Sequence, residues 1–217
     1  MESVAVIDYG SSNLRSVAKA LEYVASTRQK VIVSSEPEQI LNADRIVFPG
    51  QGAIGDCMQS LLGQDLVNVI RQGIAERPFL GICLGLQSLM TFSDEDNGTE
   101  CLNVFPGQVR HFRRDAGPGE DGLPRKIPHM GWNEVRWRKP HPLVAGIPSN
   151  TRFYFVHSYY VVPEVDDIVM GETDYIDSFV SAVGSGSAFA TQFHPEKSAD
   201  AGLEMLRNFL HWDGSES

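Results

Sequence analysis

Apolar positions in the first half of the chain follow two alternating rhythms. Val4 to Asp8 opens with a continuous apolar run, as in a strand buried on both faces, and Leu14, Val17, Ala18, Leu21 and Val24 then recur at the spacing of an amphipathic helix. Val31-Ile32-Val33 and Arg45-Ile46-Val47-Phe48 read as the next two strands. Leu61 to Ile74 is broadly helical with a break near Gly63, and Pro78-Phe79-Leu80-Gly81-Ile82 is a further strand. Strands of this apolar kind alternating with helices predict a parallel sheet covered on both faces. Such sheets carry their functional groups in loops at the C-terminal ends of the strands.

Beyond about residue 104 the rhythm changes. Val109-Arg110-His111-Phe112, Phe153-Tyr154-Phe155-Val156 and Phe179-Val180-Ser181-Ala182-Val183 have strand composition at short separations, as in antiparallel pairs. Ala116 to Gly122 is a turn-rich polar loop, expected to be mobile. A last helix starts at Ser198, an N-cap candidate, and places Leu203, Leu206, Phe209 and Leu210 on one face. There is no internal repeat and no linker long enough to divide the 217 residues, so a single domain over 1–217 is expected.

Composition narrows the class. With 42% apolar and 21% charged residues the chain has enough apolar content to bury a core. No apolar run approaches the ~18–20 residues that span a bilayer. The start lacks the basic region and cleavage site of a secretory signal. A net charge of −10 argues against a large nucleic-acid surface. Three widely spaced cysteines, Cys57, Cys83 and Cys101, make neither a disulfide framework nor a zinc site. His111, His129 and His141 lack ligand-like spacing, so no metal is expected. These features describe a soluble, cytoplasmic protein.

Three segments could carry chemistry. Gly81-Ile82-Cys83-Leu84-Gly85 ends an apolar strand, opens a helix, and has the form of the nucleophile elbow G-x-S-x-G with Cys as the nucleophile. A sharp strand-to-helix turn crowds its neighbours, hence glycine two positions to either side. The first helical N–H groups then favour the thiolate over the thiol. A buried structural cysteine among packing glycines fits the same pentapeptide. Gln192-Phe193-His194-Pro195-Glu196-Lys197 supplies a base and a carboxylate, which share a face if the segment is extended. The carboxylate would fix the imidazole tautomer and support the imidazolium. Alone, the segment equally describes a surface turn. Pro49-Gly50-Gln51-Gly52-Ala53 follows a strand on the edge that carries Cys83, and its glycines would permit a peptide flip, though a plain turn needs them too.

Together these segments resemble the class I (triad) glutamine amidotransferases, with Gly81 to Gln87 as the nucleophile motif and Gln192 to Lys197 as the triad motif. Asp8-Tyr9-Gly10 with Asn13-Leu14, Pro128-His129-Met130-Gly131-Trp132-Asn133 and Phe155-Val156-His157-Ser158-Tyr159-Tyr160 narrow the resemblance to the glutaminase subunits of imidazole glycerol phosphate synthases. The likeness runs from near residue 4 to about 210.

The resemblance implies a flavodoxin-like α/β fold, with a mostly parallel central sheet flanked by helices and a smaller antiparallel sheet. It implies hydrolysis of L-glutamine to glutamate and ammonia by Cys83, His194 and Glu196. The oxyanion hole would be formed by Gly50, Gln51, Gly52 and Leu84, and substrate would be held by Gln87, Glu95, Ser158 and Tyr159. No metal or organic cofactor is implied. The implied partner is a (β/α)₈-barrel cyclase subunit in a heterodimer, contacted by Asn13, Met130, Trp132, Tyr154 and Lys197. That subunit would use the ammonia to convert PRFAR to imidazole glycerol phosphate and AICAR in histidine biosynthesis. His157 reads as structural, because His194 already has the carboxylate, and Cys57 and Cys101 read as spectators.

Three features depart from the family pattern. Gln51 stands where an apolar residue is frequent, Ser11-Ser12 replaces a glycine-containing pair, and the loop from Arg113 to Arg125 is long. A glutaminase subunit of a different synthase would lack Pro128 to Asn133. A cysteine peptidase would need a polypeptide cleft, a non-catalytic subunit would have a broken triad, and a flavodoxin would have a hydroxyl-rich first phosphate loop.

Overall fold

The computed structural model describes residues 1–113 and 125–215, so the turn-rich segment from Ala116 to Gly122 lies outside the described residues. In chain order come β1 (Glu2–Ile7), α1 (Leu14–Val24), β2 (Gln29–Ser34), α2 (Pro37–Leu41), β3 (Arg45–Gly50), α3 (Ile54–Gly63), α4 (Leu66–Glu76), β4 (Phe79–Cys83) and α5 (Leu84–Ser88). The second half holds β5 (Phe92–Ser93), β6 (Thr99–Glu100), β7 (Gly107–His111), β8 (His129–Trp137), β9 (Thr151–His157), β10 (Tyr159–Pro163), β11 (Val169–Asp174), β12 (Ser178–Ser185), β13 (Ala188–Thr191) and α6 (Ala199–His211).

The strands β2-β1-β3-β4-β13 pair in parallel in that order, which is the flavodoxin-like doubly wound arrangement. Apolar side chains alternate strictly between the two faces of this sheet. Ala5, Ile7, Ile46, Phe48 and Phe79 join one core with residues of α2 to α5. Val4, Val6, Val47, Leu80 and Ile82 join the other, with residues of α1 and α6. This is why the strands read as continuous apolar runs.

At β13 the direction reverses. β12 runs antiparallel to it, and the sheet continues through β10, β7, β5 and β6 while a branch leaves β12 through β11 and β8 to β9. The antiparallel part is thus an extension of the central sheet and not a detached layer. Among the described residues no helix is long and apolar enough to cross a membrane.

Three local readings change. The short helix α2 escapes a periodicity argument because five residues do not fill a helical window, although Pro37 and Glu38 in its first turn are local start signals. The helical stretch around Gly63 is two helices, and the first already begins at Ile54; the break is at Gln64 and at Asp65, whose φ is 55°. Ser198 stands at the N-cap of α6 but does not cap it. Its hydroxyl donates to the His194 carbonyl at 2.6 Å and accepts the Tyr154 N–H at 2.9 Å, tying the helix start to β9 and to the segment before it.

Candidate active site

Cys83 is the hinge between β4 and α5, with φ 55° and ψ −107°. For a residue with a Cβ this backbone is strained by roughly 1–3 kcal/mol, and such strain persists where the surroundings enforce it. The flanking glycines explain how. A Cβ on Gly85 would lie 2.0 Å from the Phe48 carbonyl oxygen, and one on Gly81 would lie 2.9 Å from Ala190 Cβ and 3.3 Å from Gly85 backbone. Glycine is needed here for close approach of α5 to β3 and β4, which holds Cys83 at the sheet edge.

The segment after β13 brings His194 near Cys83. His194 Nδ1 and Glu196 Oε1 are 2.8 Å apart, and both side chains are buried. The route differs from a simple extended pair. Only His194 is extended; Pro195–Lys197 forms a 3-10 turn, initiated by proline, that curls Glu196 back under the imidazole. Burial opposes a charged imidazole, but the Cys83 sulfur and the Glu196 carboxylate outweigh it and raise His194 to about 10. Burial likewise opposes the Glu196 anion, while His194 and Asn13 hold its carboxyl below the usual range. His194 Nε2 makes no hydrogen bond in the resting geometry, a common state before substrate aligns the reacting groups. The other two thiols are poor nucleophiles: burial pushes Cys57 up, and Cys101 up to about 12.

A cleft of about 410 Å³ opens over Cys83. It is lined by Gln51, Gly52, Leu84, Gln87, Glu95, Tyr154, Ser158, Tyr159 and Lys197 and also by Val156 and His157, so all four substrate candidates meet there. Glu95 and Gln87 are already engaged by their side chains. Glu95 accepts the Ile54 N–H at 3.1 Å, anchoring the start of α3, and burial raises its carboxyl. Gln87 donates both amide hydrogens internally, to the Tyr159 carbonyl at 2.9 Å and to Gln192 Oε1 at 3.0 Å, leaving its own oxygen for any further partner.

Gly50 pairs with Cys83 in the parallel register, which sets the 50–52 segment beside the nucleophile. A Cβ on Gly50 would meet the Tyr9 hydroxyl at 2.6 Å and Leu84 Cβ at 2.7 Å, and Gly52 has φ +103°. Gln51 and Gly52 also border a second cavity of about 230 Å³, walled by Tyr9, Ser11 and Cys57, so this segment is a thin partition with space on either side.

The five partner-contact candidates separate. Met130 and Trp132 are 62% and 50% exposed on the outer face of β8, and Trp132 packs edge-on to Tyr154 at 6.2 Å. Tyr154 and Lys197 line the cleft. Asn13 is the exception. It is only 7% exposed, and its Nδ2 donates to Glu196 Oε1 at 2.6 Å. The fold commits this side chain to Glu196, a contact between residues 183 positions apart. The neighbouring Gln192 donates to Cys83 Sγ at 3.7 Å. Period-2 spacing from His194 was a signal for Gln192; nothing local pointed to Asn13 as a partner of Glu196.

His157 belongs to a separate polar cluster. Its Nδ1 meets the Tyr159 carbonyl at 2.8 Å and its Nε2 meets His129 Nδ1 at 3.0 Å. His129 Nε2 lies 3.3 Å from Asn133 Nδ2. Burial, reinforced by His129, lowers His157 to about 3, and burial with nearby Arg125 lowers His129 to about 4. Both rings are neutral near pH 7, each with its hydrogen on Nδ1.

This sheet, the Cys83 elbow and the buried His194–Glu196 pair point to one class of protein, which known relatives identify independently. The family model "Glutamine amidotransferase class-I" matches residues 5–212. The glutaminase domain of Trypanosoma brucei CTPS has the same fold, with TM-score 0.64 at 19% identity, covering 100% of this chain and 97% of its own. A Thermotoga maritima glutamine amidotransferase superposes with TM-score 0.66 at 14% identity, covering 97% and 96%. Among curated proteins, "Imidazole glycerol phosphate synthase subunit HisH" of Nitrosococcus oceani is 53% identical over 99% of both chains. That of Methylococcus capsulatus is 52% identical over 98% of both. The chain belongs to the HisH family of imidazole glycerol phosphate synthase subunits, within the class I glutamine amidotransferases.

Proposed function

We propose that residues 1–217 act as one glutamine amidotransferase domain, in the cytoplasm, delivering ammonia from L-glutamine to a (β/α)₈-barrel cyclase subunit in a heterodimer. The cyclase uses it to turn PRFAR into imidazole glycerol phosphate and AICAR. The observation that carries this reading is the strained Cys83 elbow opening on the cleft, with the buried His194–Glu196 pair beside it.

With the Cys83 proton held on His194 Nε2, the sulfur bonds to the carboxamide carbon of glutamine. The Leu84 N–H and the 50–52 segment receive the developing oxyanion. Its collapse breaks the C–N bond, and His194 returns the proton to the departing ammonia. Water then attacks the thioester, giving its proton to His194; the C–S bond breaks and glutamate leaves. Glu196 orients the imidazole throughout, and Asn13 holds Glu196. Glu95, Gln87, Ser158 and Tyr159 bind the amino-acid end of the substrate. Met130, Trp132, Tyr154 and Lys197 meet the cyclase around the cleft mouth. The free space on both sides of the 50–52 segment supports two peptide orientations, of which cyclase binding selects the active one.

Glutamate release is the test, measured with and without a cyclase subunit and its nucleotide ligand. Strong stimulation is expected, and Cys83→Ala should remove at least about ten-thousandfold of the stimulated rate. Equal turnover with and without the cyclase would overturn the pairing.

A further inference from the structure

Gln192 is fully buried at the end of β13, with its N–H donated to the Ser181 carbonyl at 2.9 Å, and the steps written above do not use it. Its carboxamide orientation follows from a chain of forced choices. The Tyr159 carbonyl can only accept, so Gln87, 2.9 Å away, must present its NH₂ group. That group also faces Gln192 at 3.0 Å, so Gln192 must present its oxygen there. The Gln192 nitrogen is then the end directed at Cys83 Sγ, at 3.7 Å. Reversal would set NH₂ against NH₂ in a buried site, leaving polar groups unpaired at about 1–3 kcal/mol.

From this geometry we infer that Gln192 is a further catalytic residue: its side-chain N–H holds the Cys83 sulfur and stabilises the thiolate, and Gln87 is the positioning residue that sets its orientation. The thiolate forms twice in the cycle, before attack on glutamine and again when the thioester C–S bond breaks, so one donor serves both half-reactions. Gln192 is buried and is not among the residues that line the cleft, so its N–H remains in place while substrate binds. This inference rests on Cys83 being the nucleophile, as proposed above.

The test is alkylation of Cys83 by iodoacetamide across pH in the full chain, located by mass spectrometry and needing neither glutamine nor cyclase. Gln192→Met keeps shape but removes the donor. Its alkylation rate near pH 6 should fall about three- to fivefold and the profile should move about one pH unit higher, with no fall in the alkaline plateau. Disturbed packing alone would change the plateau too. Gln87→Met, which leaves Gln192 present but unaligned, should give an intermediate shift and keeps the question open to test if the first variant does not fold. Profiles of the folded variants superimposing on wild type would overturn the inference. Glutamate release with cyclase that survives Cys83→Ala would instead overturn the functional reading beneath it.

Discussion

Two buried histidine sites, His194 and His157, have opposite electrostatic character. His194 has a carboxylate on one ring nitrogen and a thiol near the other, and it is raised to about 10. His157 has a carbonyl on one nitrogen and another imidazole on the other, and it is lowered to about 3. Burial pushes both the same way, so the partners decide. An imidazole that must take a proton needs an anion beside it; one that must hold a sheet together is safest neutral, with every nitrogen spoken for. His157 lines the cleft and is a histidine in reach of substrate, yet its Nε2 is occupied by His129. Lining the cleft does not by itself mark a histidine for proton transfer. The hydrogen-bond partners do.

The largest effect that would sharpen this contrast is on turnover. His194→Ala should lower cyclase-stimulated glutamate release by about ten-thousandfold, in line with loss of a triad base. His129→Phe, which keeps a flat ring between Phe155 and Tyr175 but leaves His157 Nε2 unpaired, should stay within about threefold while losing about 1–3 kcal/mol in urea unfolding. Comparable losses of turnover in both would end the division of roles.

A smaller effect tests the support beneath the base. Asn13→Ala removes the donor to Glu196 and should cut kcat about tenfold with KM for glutamine nearly unchanged. A change in KM alone would mean that Asn13 acts on substrate and not on the triad.

The smallest effects are in the pH dependence of stability, where the two sites should have opposite slopes. His129 and His157 have folded values near 4 and 3 against an ordinary 6.5. The unfolded chain binds more protons between those limits, so their contribution is present above 6.5 and lost as pH falls toward 4. His194 is raised from 6.5 to about 10, so the folded chain binds the extra proton; its contribution is present below 6.5 and lost as pH rises toward 10. Urea unfolding across pH should therefore show His129→Phe flattening the acid limb and His194→Ala flattening the alkaline one. Unaltered limbs in both variants would refute the assignment of charge states.

Much of the framework was readable from local pattern. The strand and helix rhythms up to Cys83 follow from side-chain periodicity, which is a property of neighbouring residues. The elbow and the His-Pro-Glu segment are equally local, since the crowding of a sharp turn and the reach of a carboxylate to its imidazole involve residues two positions apart. Even there the route differs from an extended pair: proline initiates a 3-10 turn that makes the same contact. The reassignment of Ser198 from cap to tether shows the same limit, because its hydroxyl chose partners outside the helix it begins.

By itself, then, the sequence determined most of the elements up to Cys83, the parallel sheet, the Cys83 elbow and the pairing of His194 with Glu196, all set by spacings of a few residues. Only the tertiary structure decided that Asn13 serves Glu196, that Gln192 turns its nitrogen to Cys83, and that His129 and His157 pair in neutral form. Those contacts join residues 183, 109 and 28 positions apart. No periodicity encodes such separations; they arise when the sheet order sets β1, β4, β9 and β13 with their loops around one edge, and when burial makes each polar group there find a partner.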